Sequence, residues 1–268
     1  MDRSRRIAFI TPYYLWFLFL VLCPFLLVLV TSFFRRNELG VVVPDFTFDS
    51  YKQLFDPLYF EILSRTLFMA IANTIATMLV SYPLAFYISR LQKNKAAWAI
   101  TLIMIPFWTN FLIRILAFMD VLRLKPFGFD LVYTAPGILA ALVYNYLPFA
   151  VLPLYSTCKK IDHSVIEAAF DLSASRLQIL TKVLWPLTRN GVITASLLVY
   201  VPTLGEFLIP EIVGGGKHFF LGTFLQQQFM VSRNWPLGSA AIILLILFAI
   251  CFVLLEQIIT RGANEKPA

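Results

Sequence analysis

The sequence predicts an all-α membrane protein of about six transmembrane helices, and three observations predict it. The chain is 59% hydrophobic and only 14% charged, with a mean hydropathy of +0.78, whereas about a quarter of a soluble domain is charged. Its apolar residues come in unbroken blocks. The block from Leu237 to Leu255 has no charged residue and, at about 1.5 Å per residue, is long enough to cross a bilayer core of about 30 Å. Its Lys and Arg are also segregated between alternate connecting segments. A β-barrel needs short segments of alternating polarity, so the continuous blocks exclude one.

Taken in order, the spans are expected at about 8–31, 66–88, 98–118, 135–155, 191–213 and 237–255. They form one transmembrane domain over residues 1–268, with a polar loop at about 156–190 between spans 4 and 5. The first apolar run is too long for the core of a signal peptide. Thr31-Ser32-Phe33-Phe34-Arg35-Arg36 follows it instead of a small-x-small cleavage site. Pro24, Pro83, Pro106, Pro148, Pro153, Pro202 and Pro210 fall within or at the ends of the first five spans. Each removes a backbone donor and kinks or breaks its helix, and in lipid the freed carbonyls need a neighbour or a water-lined cavity. That favours a moving, cavity-lining bundle over a rigid anchor. The sixth block has no internal proline and reads as a lipid-facing strut.

The charge count sets an orientation. Of the 22 Lys and Arg, 13 lie in the segments around residues 3–6, 90–95, 159–189 and 261–266. With Asp2, Asp162, Glu167, Asp171, Glu256 and Glu265 that side carries +7, and the other side sums to zero. Both termini and the loop containing Glu167 are therefore expected on the cytoplasmic side of a multi-pass protein. The basic excess reports topology, and no nucleic-acid partner is implied. Cys23, Cys158 and Cys251 lie in or at the ends of spans and fit no disulfide framework.

The 156–190 loop is the most informative polar segment. Ser164 and Glu167 have capping-box spacing, which predicts a short helix over Val165–Leu172 that presents Ala168 and Ala169 to a partner. A second helix is expected over Ala174–Leu184, with the Ser173 hydroxyl as its cap and Pro186 ending it before the fifth span. A loop that merely joined two spans could be far shorter.

Glu167-Ala168-Ala169, then Ser173, Val183 and Trp185-Pro186, resembles the "EAA" loop of permease subunits in bacterial ABC importers. That family's pattern is Glu-Ala-Ala, three residues, Gly, nine residues, Ile, one residue, Leu-Pro. This chain departs from it in having Ser173 for Gly, Val183 for Ile and Trp185 for Leu. The stretches Asp56–Phe60, Ile105–Arg114, Gly205–Glu211 with Gly214-Gly215, and Asn234–Pro236 extend the likeness over nearly the whole chain. Together they resemble the spermidine/putrescine permeases, specifically the first of the two permease subunits. Permeases for opines, phosphonates or ferric iron share much of the pattern.

The resemblance implies an ABC-importer permease fold with a cytoplasmic coupling helix between spans 4 and 5, in a bacterial inner membrane. It implies Glu167, Ala168, Ala169, Asp171 and Ser173 as ATPase-coupling residues. The implied partners are a second homologous permease, a dimer of ATP-binding subunits and an extracytoplasmic solute-binding protein. Neither catalysis nor a cofactor nor a metal is implied for this chain, and no G-x-x-x-x-G-K-[ST] sequence occurs in it. His-Glu-x-x-His and Gly-x-Ser-x-Gly are also missing, which removes the common membrane hydrolases. A secondary transporter would suit the kinked helices but leaves the Glu167 loop unexplained.

Two charges sit deep in apolar blocks. Arg114 lies about 24 Å into the third span and Glu206 about 22 Å into the fifth, both in the outer half at similar depth. A charge at mid-bilayer costs about 2.5–3.5 kcal/mol on insertion scales, so each needs a polar partner. Three arrangements meet that need. The two form an ion pair; or Glu206 meets a passing cationic substrate, with Trp108 and nearby tyrosines adding cation–π support; or both snorkel to the headgroups. Trp108, Arg114 and Glu206 are the candidate pathway residues.

Overall fold

A computed structural model describes residues 3–37, 40–125, 128 and 130–264. Asp2, Glu265 and Lys266 of the charge count lie outside the described residues. Helix α1 (Arg3–Thr31) is followed by a small antiparallel hairpin, β1 (Arg35–Arg36) with β2 (Val42–Val43), pairing Arg35 with Val43. Then come α2 (Asp49–Leu54), the long α3 (Pro57–Ser89), α4 (Lys93–Met104), a 3-10 turn (Ile105–Trp108) and α5 (Phe111–Arg123). Helix α6 (Ala135–Cys158) precedes the polar loop. The loop carries α7 (His163–Asp171), α8 (Arg176–Gln178) and a π-helical segment (Ile179–Leu184). The chain closes with α9 (Trp185–Leu204), α10 (Leu208–Gly214), α11 (Leu221–Gln226), a second π segment (Gln227–Val231) and α12 (Trp235–Asn264).

Four helices are long and apolar enough to cross a bilayer by themselves: Thr11–Thr31 of α1, α3, α6 and Trp235–Leu255 of α12. Two further spans are bent pairs. The helical run Lys93–Trp108 meets α5 at 104°, and Arg176–Leu204 meets α10 at 68°. The causes are local. Pro106 offers no donor where α4 would continue, and Asn110 opens a new helix by accepting from the Leu112 N–H at 2.9 Å. The second break falls at Gly205–Phe207, three residues past Pro202.

The described residues divide into two compact units. In the first (residues up to 61, with 224–250), the Thr31 and Ser239 hydroxyls lie 2.9 Å apart and tie α1 to α12. Phe33 packs on Phe46 and Tyr51, with ring centroids 5.8 and 5.3 Å away. None of the most apolar stretch of α1 is buried, as an all-apolar helix bordered by lipid requires no protein neighbour. The second unit (62–223, with 251–264) is built around α6. Ile138, Ala141, Leu142, Ala150, Val151 and Leu154 of α6 are all at most 1% exposed. Helix α9 packs closely on it through Ala195 and Gly191, where an added Cβ would fall inside the Thr157 side chain. Small residues at such contacts are how membrane helices approach one another. Helix α3 is tied to α9 by Asn73, whose amide donates to the Thr203 hydroxyl at 2.8 Å and whose carbonyl oxygen accepts from Thr77 at 3.2 Å.

Candidate functional site

The polar loop folds as a platform with its own small core. Helix α7 starts at His163, because Asp162 is the N-cap and accepts from the Ser164 N–H at 3.2 Å. This corrects the expected Ser164–Glu167 capping box. An aspartate two residues earlier is at least as good a cap as serine, and the helix starts from it. Those bonds from Ser164 also hold the Asp162 carboxyl below the ordinary aspartate pKa. Glu167 turns outward and meets His163 Nδ1 at 2.9 Å, with both side chains about two-thirds exposed.

Ala168 and Ala169 do not share a surface. Ala168 is exposed, whereas Ala169 is 9% exposed and packs with Ile161, Ile179 and Leu184, flanked by Phe86, Ile166, Ala174 and Val183. Adjacent residues on a helix point about 100° apart, and here Ala169 takes the inward direction. The outer face gains instead Phe170 (51% exposed) and Leu172 (83% exposed), two large apolar side chains that the sequence reading passed over. The available signal was apolar residues in a segment with no lipid to face.

Ser173 stands where the importer pattern has Gly, and its backbone has φ +58°. The Ala174 N–H donates to the Ala169 carbonyl at 3.1 Å and the Ser173 N–H to the Phe170 carbonyl at 2.8 Å. These two bonds are the Schellman ending of a helix, which puts a left-handed residue at this position. The left-handed turn is thus made by serine. Ser173 does not cap the next helix. Ser175 does, in a reciprocal box with Gln178 (3.3 and 2.8 Å). Pro186 does not end that helix either: the run from Arg176 to Leu204 is continuous. The π segment Ile179–Leu184 shifts the hydrogen-bond register immediately before Pro186, where no N–H is available to donate.

The two charges are held by neighbouring residues of α6. Arg114 is 7% exposed; its Nη2 donates to Asn145 Oδ1 at 2.6 Å and its Nη1 to the Pro106 carbonyl at 3.1 Å. The guanidinium lies 4.3 Å from the Phe107 ring centroid. Glu206 Oε2 accepts from the Tyr146 hydroxyl at 3.0 Å, while Oε1 accepts from the Leu208 and Ile209 N–H groups at 3.1 and 3.4 Å, capping α10. Among the described residues Arg114 and Glu206 therefore form no ion pair with each other, and Arg114 does not snorkel. Each charge sits beside a helix break and bonds to backbone there. Trp108 ends the 3-10 turn and is 79% exposed. Asn145 and Tyr146 were missed by sequence reasoning; two polar side chains inside the apolar run of α6 were the signal.

Broken membrane helices whose ends are held by Arg114 and Glu206, together with a self-cored helical platform between spans, fit a transport permease. Residues 5–264 match the family described as binding-protein-dependent transport system inner membrane component, and this chain belongs to that family. It is 35% identical over 264 residues to the spermidine/putrescine transport system permease protein PotB of Escherichia coli K12, covering 94% of this chain and 96% of that protein. It is 25% identical over 244 residues to the spermidine/putrescine transport system permease protein PotC of Haemophilus influenzae, covering 90% and 92%. The fold matches a chain of a bacterial alginate ABC transporter, crystallised with an alginate pentasaccharide-bound periplasmic protein, at a TM-score of 0.70. That match covers 97% of this chain and 95% of the other at 15% identity, a likeness of fold. The chain is an all-α inner-membrane permease of the ABC-importer type.

Proposed function

We propose that this chain forms half of an alternating-access pathway for polyamines and is driven by ATP hydrolysis on separate subunits. The observation that carries the coupling half of this reading is the α7 platform. It has its own core and turns Glu167, Ala168, Phe170, Asp171 and Leu172 outward. A docking element has to keep its shape when pushed, and the Ala169 core and the Ser173 ending supply that rigidity. In this reading a dimer of ATP-binding subunits grips α7, a second homologous permease completes the pathway, and a binding protein delivers solute from outside. The likeness to both PotB and PotC supports a second permease that is a different chain. The segregation of Lys and Arg supports placing α7 and both termini on the cytoplasmic side.

Polyamines are supported by the relatedness to PotB and by chemistry. A putrescine or spermidine cation crossing lipid needs carboxylate or aromatic partners. Glu206 is a half-buried carboxylate at a helix break, with the Tyr146 ring beside it. Arg114, by contrast, has both terminal nitrogens bonded at the other break and serves in this reading as a structural cation. Inner-membrane vesicles holding the full transporter test this. ATP-dependent uptake of labelled putrescine and spermidine, weakened by Glu206→Gln, is the expected result. Hydrolysis stimulated by the loaded binding protein with no polyamine uptake would remove the polyamine assignment and keep the importer.

A further inference from the structure

Two helix ends meet beside the base of α7. Arg90, the first residue past α3, donates through Nη1 to the Ile161 carbonyl at 3.0 Å and through Nη2 to the Cys158 carbonyl at 3.5 Å. Its guanidinium also lies over the Phe86 ring, 5.0 Å from the centroid. Lys159, the first residue past α6, donates through Nζ to the Ser89 carbonyl at 3.2 Å. Each helix thus sends a cation to the carboxyl end of the other. The last carbonyls of a helix have no partner within it and carry partial negative charge. Charge-assisted bonds to them are the strong kind. The exchange is reciprocal, and its acceptor residues are shielded: Ser89, Cys158 and Ile161 are 4, 0 and 9% exposed, while Lys159 itself is exposed.

Ile161 gives this clasp its reach. It belongs to the core under α7 and directly precedes Asp162, the α7 cap. Phe86, the ring under Arg90, packs against the same core. We propose that Arg90 and Lys159 are positioning residues of the coupling step. Their crossed bonds make the ends of α3 and α6 and the base of α7 one joint, so a displacement of α7 is delivered to both spans together. Without the clasp, α7 would still dock, but its motion would be absorbed in the short connections after Ser89 and Cys158. This inference rests on the coupling role proposed for α7.

The test uses the complete transporter in proteoliposomes, with uptake and ATP hydrolysis measured in the same sample. Arg90→Gln is expected to lower solute transported per ATP about tenfold, the size of a typical coupling energy, while stimulated hydrolysis persists. Lys159→Gln should lower it less, having one bond to lose, and Arg90→Lys should recover part of the ratio. An unchanged ratio in Arg90→Gln, whether uptake and hydrolysis stay normal or fall in proportion, overturns the proposal. Recovery of intact complex on purification verifies assembly; if Arg90→Gln does not assemble, Lys159→Gln and Arg90→Lys decide by the same ratio. A Glu167→Lys control separates the two levels of the argument. If it transports normally, the coupling role of α7 is wrong. If it fails while Arg90→Gln keeps its ratio, only the clasp is wrong.

Discussion

Ser173 holds a conformation that costs an L-residue about 1–2 kcal/mol relative to right-handed backbone, and it does so to end α7 where the Ala169 core requires it. Ser173→Gly should relieve most of that strain. The expected outcome is full uptake with equal or slightly higher thermal stability, whereas Ser173→Val should lower both because a branched side chain resists the left-handed turn. Asp162 makes a prediction about pH. Its folded pKa is depressed by the bonds from Ser164, so its capping contribution is complete above the unfolded value, about 3.9. It is lost as pH falls through the lower folded value. Fraying of α7, followed by hydrogen exchange of the Ser164 amide, should therefore begin only in strong acid. Tyr146→Phe removes one bond from Glu206 but leaves the two backbone donors. Interhelical bonds in membranes average about 0.6 kcal/mol, so the variant should fold normally. If Glu206 meets the substrate, uptake should show a changed KM with little change in maximal rate.

At the scale of elements, the proline positions marked where helices could break, and only some of them do. Pro106 and Pro202 both precede breaks, whereas Pro24, Pro83, Pro148 and Pro153 lie inside continuous helices. The difference after Pro106 is Asn110, whose side chain pays for a new start. Asn110→Ala should cost about 1 kcal/mol and lower the melting temperature of the purified complex. The rise of 1.5 Å per residue that placed Arg114 in depth does not carry across a 104° turn, so that estimate fails. For Glu206 it holds only as far as Leu204. Within the loop, sequence spacing pointed to Ser164 and Ser173 as caps, whereas the caps are Asp162 and Ser175, each two residues away. Local pattern cannot choose between caps one or two residues apart; the choice is made by which apolar residues reach the core beneath. Ala169 in that core set the phase of α7. The partners of Arg114 and Glu206 were illegible for another reason: Asn145 and Tyr146 are 31 and 60 residues away in sequence.

For the whole molecule, what composition and patterning made legible was the class: apolar blocks in a chain 14% charged, with one long polar loop. The family match over residues 5–264 agrees with that reading. The close approach of α6 and α9 at Gly191 makes a further prediction. Gly191→Leu should push the helices apart and abolish assembly, as overpacking costs about 1–3 kcal/mol, and Gly191→Ala should do so less. The account stands chiefly on α7 as the element through which ATP hydrolysis moves the membrane helices. The most direct measurement is uptake and hydrolysis by vesicles carrying Glu167→Lys beside the unaltered chain, with every other subunit present. The account predicts that the variant reaches the membrane in normal amount and that ATP-driven uptake disappears. Normal uptake by Glu167→Lys would contradict it.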